Sequence, residues 1–281
     1  MERPYVIVSA AMSLDGYLDD TSSERLVLSN AADFDRVDAV RADVDAIAVG
    51  AGTVRADDPR LQVRSETRRA HRVAAGRPAS PLRVVFSPSG ELDPGARLFT
   101  GGDRVVVYTS EAGMRACPLA PEAAEVIATA DRDVDLEAAL ADLARRGVRR
   151  LLVEGGGVVH TAFLSADLVD EMHLAVAPFL LGARGGARFV HPAVFPQSPE
   201  RPLELAETRA IGDLALMRYR RAGVLSVYDL ANPLRCPQHR HRRRMEPGCP
   251  RPRRPRTARR PKAPRHRPGR RREPTPSRST R

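Results

Sequence analysis

Along the first 220 residues the apolar positions fall into two kinds of stretch. Short continuous runs bounded by glycine, proline and serine predict strands buried on both faces, and apolar residues spaced three or four apart predict helices packed on them. On this basis residues 5–12 (YVIVSAAM), 45–50 (DAIAVG), 81–86, 104–108, 150–153 and 171–177 are strands. Residues 31–42 form a helix with Phe34, Val37 and Val40 at helical spacing. A second helix covers 136–146, with Asp135 as its cap, Leu136, Ala139, Leu140 and Leu143 on one face, and Gly147 at its left-handed stop. A short helix follows Gly157, and residues 203–210 and 214–220 make a hairpin turned at Gly212-Asp213. Pro88-Ser89-Gly90 and Pro94-Gly95 mark further turns.

Strands alternating with helices predict an α/β fold with a mostly parallel sheet, closed by the C-terminal β-hairpin. There is no internal repeat. No apolar run approaches the roughly 18 residues a membrane span requires, and no basic stretch leads into an apolar segment at the N-terminus, so the expected location is the cytoplasm.

Charge changes the picture at one place. The chain carries +11 overall, but 19 of its 46 basic residues and only 2 of its 35 acidic ones lie after Pro233. The preceding body is therefore mildly acidic. The stretch also holds 10 of the 24 prolines and almost no aliphatic residues, too little apolar surface to offset the entropy of ordering it. Residues 1–230 are accordingly expected as the folded domain and 231–281 as a disordered basic tail. A dense arginine array of this kind binds nucleic acid non-specifically, and with no aromatic residue after Tyr228 it offers nothing to stack on bases. Out-of-frame read-through is an alternative origin for it. Only Cys117 lies in the body, which fits a reducing compartment. Cys236, His239, His241 and Cys249 match no standard zinc spacing, so no metal is expected.

Three strings carry candidate chemistry. Glu154-Gly155-Gly156-Gly157 joins a buried strand to a helix, where bare backbone N–H groups can approach a phosphate at the positive helix end. The same glycines serve equally as a tight packing turn. The spacing is not G-x-G-x-x-G, which disfavours an ordinary Rossmann site. Ala48 to Asp58 (AVGAGTVRADD) is again strand, glycines, a hydroxyl and acids, with Asp57-Asp58-Pro59 readable as a plain turn. Ser13-Leu14-Asp15-Gly16 follows the first strand, and Asp15 there is either catalytic or a turn residue.

Taken in order, these strings with Val40-Arg41-Ala42, Gly52-Thr53-Val54, Asp57-Asp58-Pro59-x-Leu61, Leu168-Val169-Asp170-Glu171, Ala177-Pro178 and Leu181-Gly182 resemble the riboflavin-pathway pyrimidine reductases. The likeness runs from about Pro4 to Arg220. It implies a dihydrofolate-reductase-like fold and NADPH as cofactor, contacted by Ala11, Thr53, Asp57, Gly155, Gly156 and Gly157. It also implies that Arg41, Leu61, Arg64 and Glu154 hold the substrate, the arginines facing its phosphate as guanidinium forks do. The implied reaction moves a hydride from NADPH to C1′ of the open-chain imine of a phosphoribosylaminopyrimidine of the 5-amino-6-(5-phosphoribosylamino)uracil type, giving the ribitylamino product, with Glu154 and Asp15 as candidate catalytic groups. A homodimer is implied as well.

Two departures stand out. The residue after the Ser13–Gly16 string is Tyr17, where many relatives carry a cation, and residues 21–29 lack the tryptophan some members have there, leaving Leu26 and Val27 as a smaller wall. Reduction of another pterin or pyrimidine, such as dihydrofolate, is the alternative that Tyr17 keeps open. The His-x-Glu and Pro-Cys-x-x-Cys zinc site of a fused deaminase is missing, so a stand-alone reductase is expected. Cys117, His160 and His173 are expected as packed residues rather than ligands.

Overall fold

The computed structural model describes residues 3–22, 26–101 and 104–224. The expected tail at 231–281, with its nucleic-acid and zinc readings, lies outside the described residues. One nine-stranded sheet organises the rest. It is built from β1 (Tyr5–Met12), β2 (Ala46–Gly50), β3 (Leu82–Phe86), β4 (Val105–Ser110), β5 (Glu125–Ala130), β6 (Arg150–Val153), β7 (Glu171–Val176), β8 (Glu204–Ile211) and β9 (Leu214–Arg220). The helices are α1 (Ala31–Asp43), α2 (Ala51–Asp57), α3 (Glu66–Ala74), α4 (Glu111–Ala116), α5 (Leu136–Arg145) and α6 (Gly157–Ser165).

The strand order is β5-β4-β3-β2-β6-β1-β7-β9-β8. All pairs from β5 to β7 are parallel, and β9 turns antiparallel against β7 and β8. Period-two alternation buries both faces. Val6 and Val8 point into one layer with Leu140, Leu143 and Phe163, while Ile7, Ile47 and Val49 point into the other with Val40, Val44 and Leu61. Each such fully covered side chain contributes on the order of 1.5–3 kcal/mol. The hairpin turn is at Gly212, whose φ of +59° suits glycine, and with Leu28 and Ala177 the hairpin forms a smaller third cluster.

The order of strands fixes where a ligand can sit. The chain leaves β1 for β2, runs outward through β3, β4 and β5, then returns to lay β6 between β2 and β1. In parallel sheets a crevice opens outside the carboxyl ends of the strands where the winding reverses. Here that point is flanked by Gly50, Glu154 and Met12.

Helix α1 differs from its expected amphipathic pattern. Its most buried side chains include Asp33 and Asp38, while Phe34 and Val37 face a cavity. Asp38 is buried because it is bonded: it accepts from the Arg64 and Ser65 amides at 2.5 and 3.1 Å and from Arg68 at 3.0 Å. Among the described residues, no helix is long and apolar enough to cross a membrane.

Candidate functional site

Two cavities open at the reversal point and share part of their lining. The larger, about 840 Å³, is walled by backbone from Gly50 to Thr53 and from Gly156 to His160, with Leu26, Val27 and Ser87 completing its sides. The smaller, about 150 Å³, is walled by charged side chains: Asp33, Arg36, Asp38, Arg41, Arg64 and Glu154. Ala10, Ala11, Ser29, Phe34 and Glu154 line both.

The glycine wall is built by hydrogen bonds between adjacent strand ends. Gly50 N–H donates to Gly155 O at 2.8 Å, and Glu154 N–H to Ala48 O at 2.9 Å. Helix α6 starts there without a side-chain cap, since its N-cap is Gly156. Its first amides are therefore available to an anion, and the helix dipole favours one. The glycines are needed for space: a Cβ on Gly157 would stand 2.0 Å from Arg188 O, and one on Gly50 would stand 2.7 Å from Val159 Cγ2. Gly155 has a φ of +129°, a region L side chains rarely adopt.

Glu154 sits at the junction and is held by Arg41. The Arg41 Nε and Nη2 donate to its two carboxylate oxygens at 2.7 and 2.5 Å, and Nη1 donates to Gln62 O at 3.1 Å. Both side chains are only 12% exposed. Burial works against the charge on Arg41, and the paired carboxylate more than offsets it, so its pKa lies above the ordinary arginine value.

Among the described residues, two polar atoms in the large cavity wall have no protein partner: Ser87 Oγ and His160 Nε2. Both residues are fully buried. His160 Nδ1 lies 3.3 Å from Phe189 O, so it carries the proton and Nε2 presents a lone pair. Burial lowers the His160 pKa to about 4, which keeps the ring neutral.

Of the residues expected to contact a cofactor, Ala11, Thr53, Asp57, Gly156 and Gly157 line the large cavity. Gly155 is buried behind it and acts through its carbonyl. Of those expected at the substrate, Arg41, Arg64 and Glu154 line the small cavity. The fork of Arg41 faces Glu154 rather than open space, which differs from an arginine held ready for phosphate. Leu61 stands apart: 2% exposed, with φ at +48°, it packs in the core beside Val54 and Leu98. Asp15 lines neither cavity. Its carboxylate accepts from Ser13 Oγ at 2.6 Å and from the Leu181 and Gly182 amides at 3.1 and 2.7 Å, and the Ser13 bond above all lowers its pKa to about 2. That makes it a clasp between two loops.

His160, Arg188, Ser87 and Ser29 were missed by the sequence reading. Ser87-Pro88-Ser89-Gly90 follows a buried strand just as the Gly50 and Glu154 strings do, so the strand-then-small-residue pattern could have marked it. Nothing local marked His160 or Arg188. Among the described residues there is no cluster of His, Cys, Asp and Glu able to hold a metal ion.

Residues 4–216 match the family model described as the RibD C-terminal domain. The chain is 41% identical over 190 residues to a 2,5-diamino-6-ribosylamino-4(3H)-pyrimidinone 5′-phosphate reductase of Archaeoglobus fulgidus, covering 65% of this chain and 84% of that protein. A protein of the same name from Methanothermobacter thermautotrophicus is 34% identical over 220 residues, 77% of this chain and 98% of its own length. Among solved structures, a diaminohydroxyphosphoribosylaminopyrimidine deaminase/5-amino-6-(5-phosphoribosylamino)uracil reductase from Thermotoga maritima superposes with a TM-score of 0.64 at 26% identity. That match covers 78% of this chain and 57% of the other, so the chain spans little more than half of that protein.

Proposed function

The chain belongs to the RibD C-terminal domain family, and from that membership we propose that it is an NADPH-dependent reductase of a ribosylaminopyrimidine 5′-phosphate in riboflavin biosynthesis. The observation that carries this reading is the pair of adjoining cavities. One has the size and backbone lining a dinucleotide requires, and the other is small, charged and joined to it at Glu154.

The residues present fit such a cofactor. The Gly156-Gly157 turn brings backbone without side chains to the cavity wall, the bare start of α6 suits a pyrophosphate, and Ser87 Oγ and His160 Nε2 offer buried hydrogen-bonding atoms. When bound, the reduced dinucleotide supplies a hydride. The protein's part is alignment and electrostatics. Ala10 and Ala11 line both cavities and place no long side chain between them. Glu154, fixed by Arg41, presents its carboxylate edge to the polar atoms of the pyrimidine, and Arg64 is the cation available to the sugar phosphate.

The relatives' names favour the 2,5-diaminopyrimidinone over the uracil as substrate. Following loss of NADPH absorbance with each pyrimidine, and with dihydrofolate, tests this. We expect turnover of a phosphoribosylaminopyrimidine and none of dihydrofolate. Thermal shifts should be larger with NADPH than with NADH, because a ligand bound only to the native state raises its stability. No turnover of either pyrimidine, with no shift from NADPH, would remove the proposal. The same reading pairs the chain with a second copy. Exposed Phe179, Leu180 and Leu205 support this, and light scattering on the eluted protein measures it.

A further inference from the structure

Five arginines line the two cavities, and their partners separate them. Arg36 is paired with Asp33 and Arg41 with Glu154, while Arg55 donates to the Glu91 carbonyl. Among the described residues Arg64 and Arg188 have no carboxylate partner within ion-pair distance, and each lies over an aromatic ring instead. The Arg64 guanidinium carbon is 5.4 Å from the Phe34 centroid at the small cavity, and that of Arg188 is 4.3 Å from the Tyr17 centroid at the large one. A guanidinium parked on a ring keeps its outward N–H groups for an incoming anion.

Arg188 is fixed in this posture by more than the ring. Its Nη2 donates to Tyr17 Oη at 2.8 Å, and Tyr17 itself is 7% exposed. The segment is clipped to the chain around Tyr17 by a β-bridge between Tyr17 and Arg188 and by the bonds Leu18 N–H to Ala187 O and Phe189 N–H to Gly16 O. Its carbonyl side presses on Gly157, the first residue of α6, where an added Cβ would stand 2.0 Å from Arg188 O. His160, one turn along α6, points its unpartnered Nε2 toward the same glycine turn, 3.7 Å from where a Cβ on Gly155 would be. A cation and uncapped helix amides thus share one wall.

We propose that Arg188, shelved on Tyr17, binds the pyrophosphate of the dinucleotide together with the first amides of α6. This rests on the dinucleotide reading above and assigns a phosphate ligand to a residue far from the glycine strings. The neutral phenol at position 17 then acts by seating the cation of another segment.

The test measures cofactor affinity by fluorescence titration for wild type, Arg188→Met, Arg188→Lys and Tyr17→Phe, with NADPH, NADH and reduced nicotinamide riboside, which has no phosphate. Arg188→Met should weaken NADPH and NADH alike, by about 10- to 100-fold, and flatten the salt dependence of binding. Arg188→Lys should recover part of this, and Tyr17→Phe should cost a few-fold. Binding of the riboside and the KM for the pyrimidine should stay as in wild type. Because Arg188 is exposed, the melting temperature of Arg188→Met without cofactor should be unchanged. Wild-type binding that Arg188→Met leaves intact overturns the proposal alone. A loss confined to NADPH overturns the pyrophosphate assignment, and a wild type that binds neither dinucleotide overturns it together with the functional reading.

Discussion

The two cavities meet at one carboxylate but are built on opposite principles. The large one is shaped by what is missing: Gly50, Gly156 and Gly157 bring bare backbone to its surface, and the first amides of α6 add partial positive charge to that of Arg188. The small one is shaped by full charges, of which Asp33, Asp38, Arg36, Arg41 and Glu154 are already bonded to protein partners. A backbone-walled site is damaged by adding atoms, and a charge-walled site by removing a partner. The perturbations below separate the two.

Removing a partner should have the largest effect. Glu154→Leu leaves the Arg41 guanidinium nearly buried without its carboxylate, which costs about 3–5 kcal/mol. Denaturant unfolding measures it, and the double variant Arg41→Met with Glu154→Leu should regain much of the loss. If the double variant is as unstable as the sum of the singles, the pair is not coupled and the contrast fails.

Next comes acid. The His160 pKa is about 4 when folded and 6.5 when free, so the unfolded chain takes up a proton first as pH falls. Its contribution is therefore flat above pH 6.5, erodes between pH 6.5 and about 4, and reaches a loss of roughly 3 kcal/mol at the lower end. His160→Gln should lack this slope. His173, also lowered by burial despite its Glu171 partner, adds a slope of the same sign that the comparison of variants cancels.

Adding atoms comes third. Gly157→Ala puts a methyl on the Arg188 carbonyl and should cost about 1–3 kcal/mol of stability through overpacking, with loss of measurable dinucleotide binding. Retained affinity would show that the wall yields. Smallest is Asp15→Asn. The wild-type carboxylate has its pKa lowered from 3.8 to about 2, so its contribution is present above pH 4 and fades as pH falls toward 2. The variant should lose that acid-dependent step and keep kcat, since Asp15 faces neither cavity.

How far the sequence anticipated this depends on what each element is made from. Strands 5–12 and 214–220 were legible to the residue because they are apolar runs with turn residues at both ends. The short helices α2, α3 and α4 and the edge strand β5 were not. Helix α3 (ETRRAHRVA) has almost no apolar face: it is held by Arg72, whose Nη1 reaches the Ala42 and Val44 carbonyls and whose Nε reaches Pro78 O. β5 lies at the sheet edge with an intermediate burial pattern, so its apolar signal is weak. At the site, glycines and acids next to strand ends could be read locally. Arg188 over Tyr17, or Glu154 against Arg41 at a separation of 113 residues, exists only once the sheet has brought those segments together.

The position of β6 also governs how the molecule comes into being. Among the described residues β1 pairs with β6 and β7 alone, so it finds no sheet partner until the chain has passed residue 150. Assembly of the centre is therefore a long-range closure, slow by nature, during which apolar strand edges stand open to aggregation. The strand that joins β1 to β2 leads straight into the Glu154-Gly155-Gly156-Gly157 turn, so joining the two parts of the sheet and bringing that turn to the site are one event.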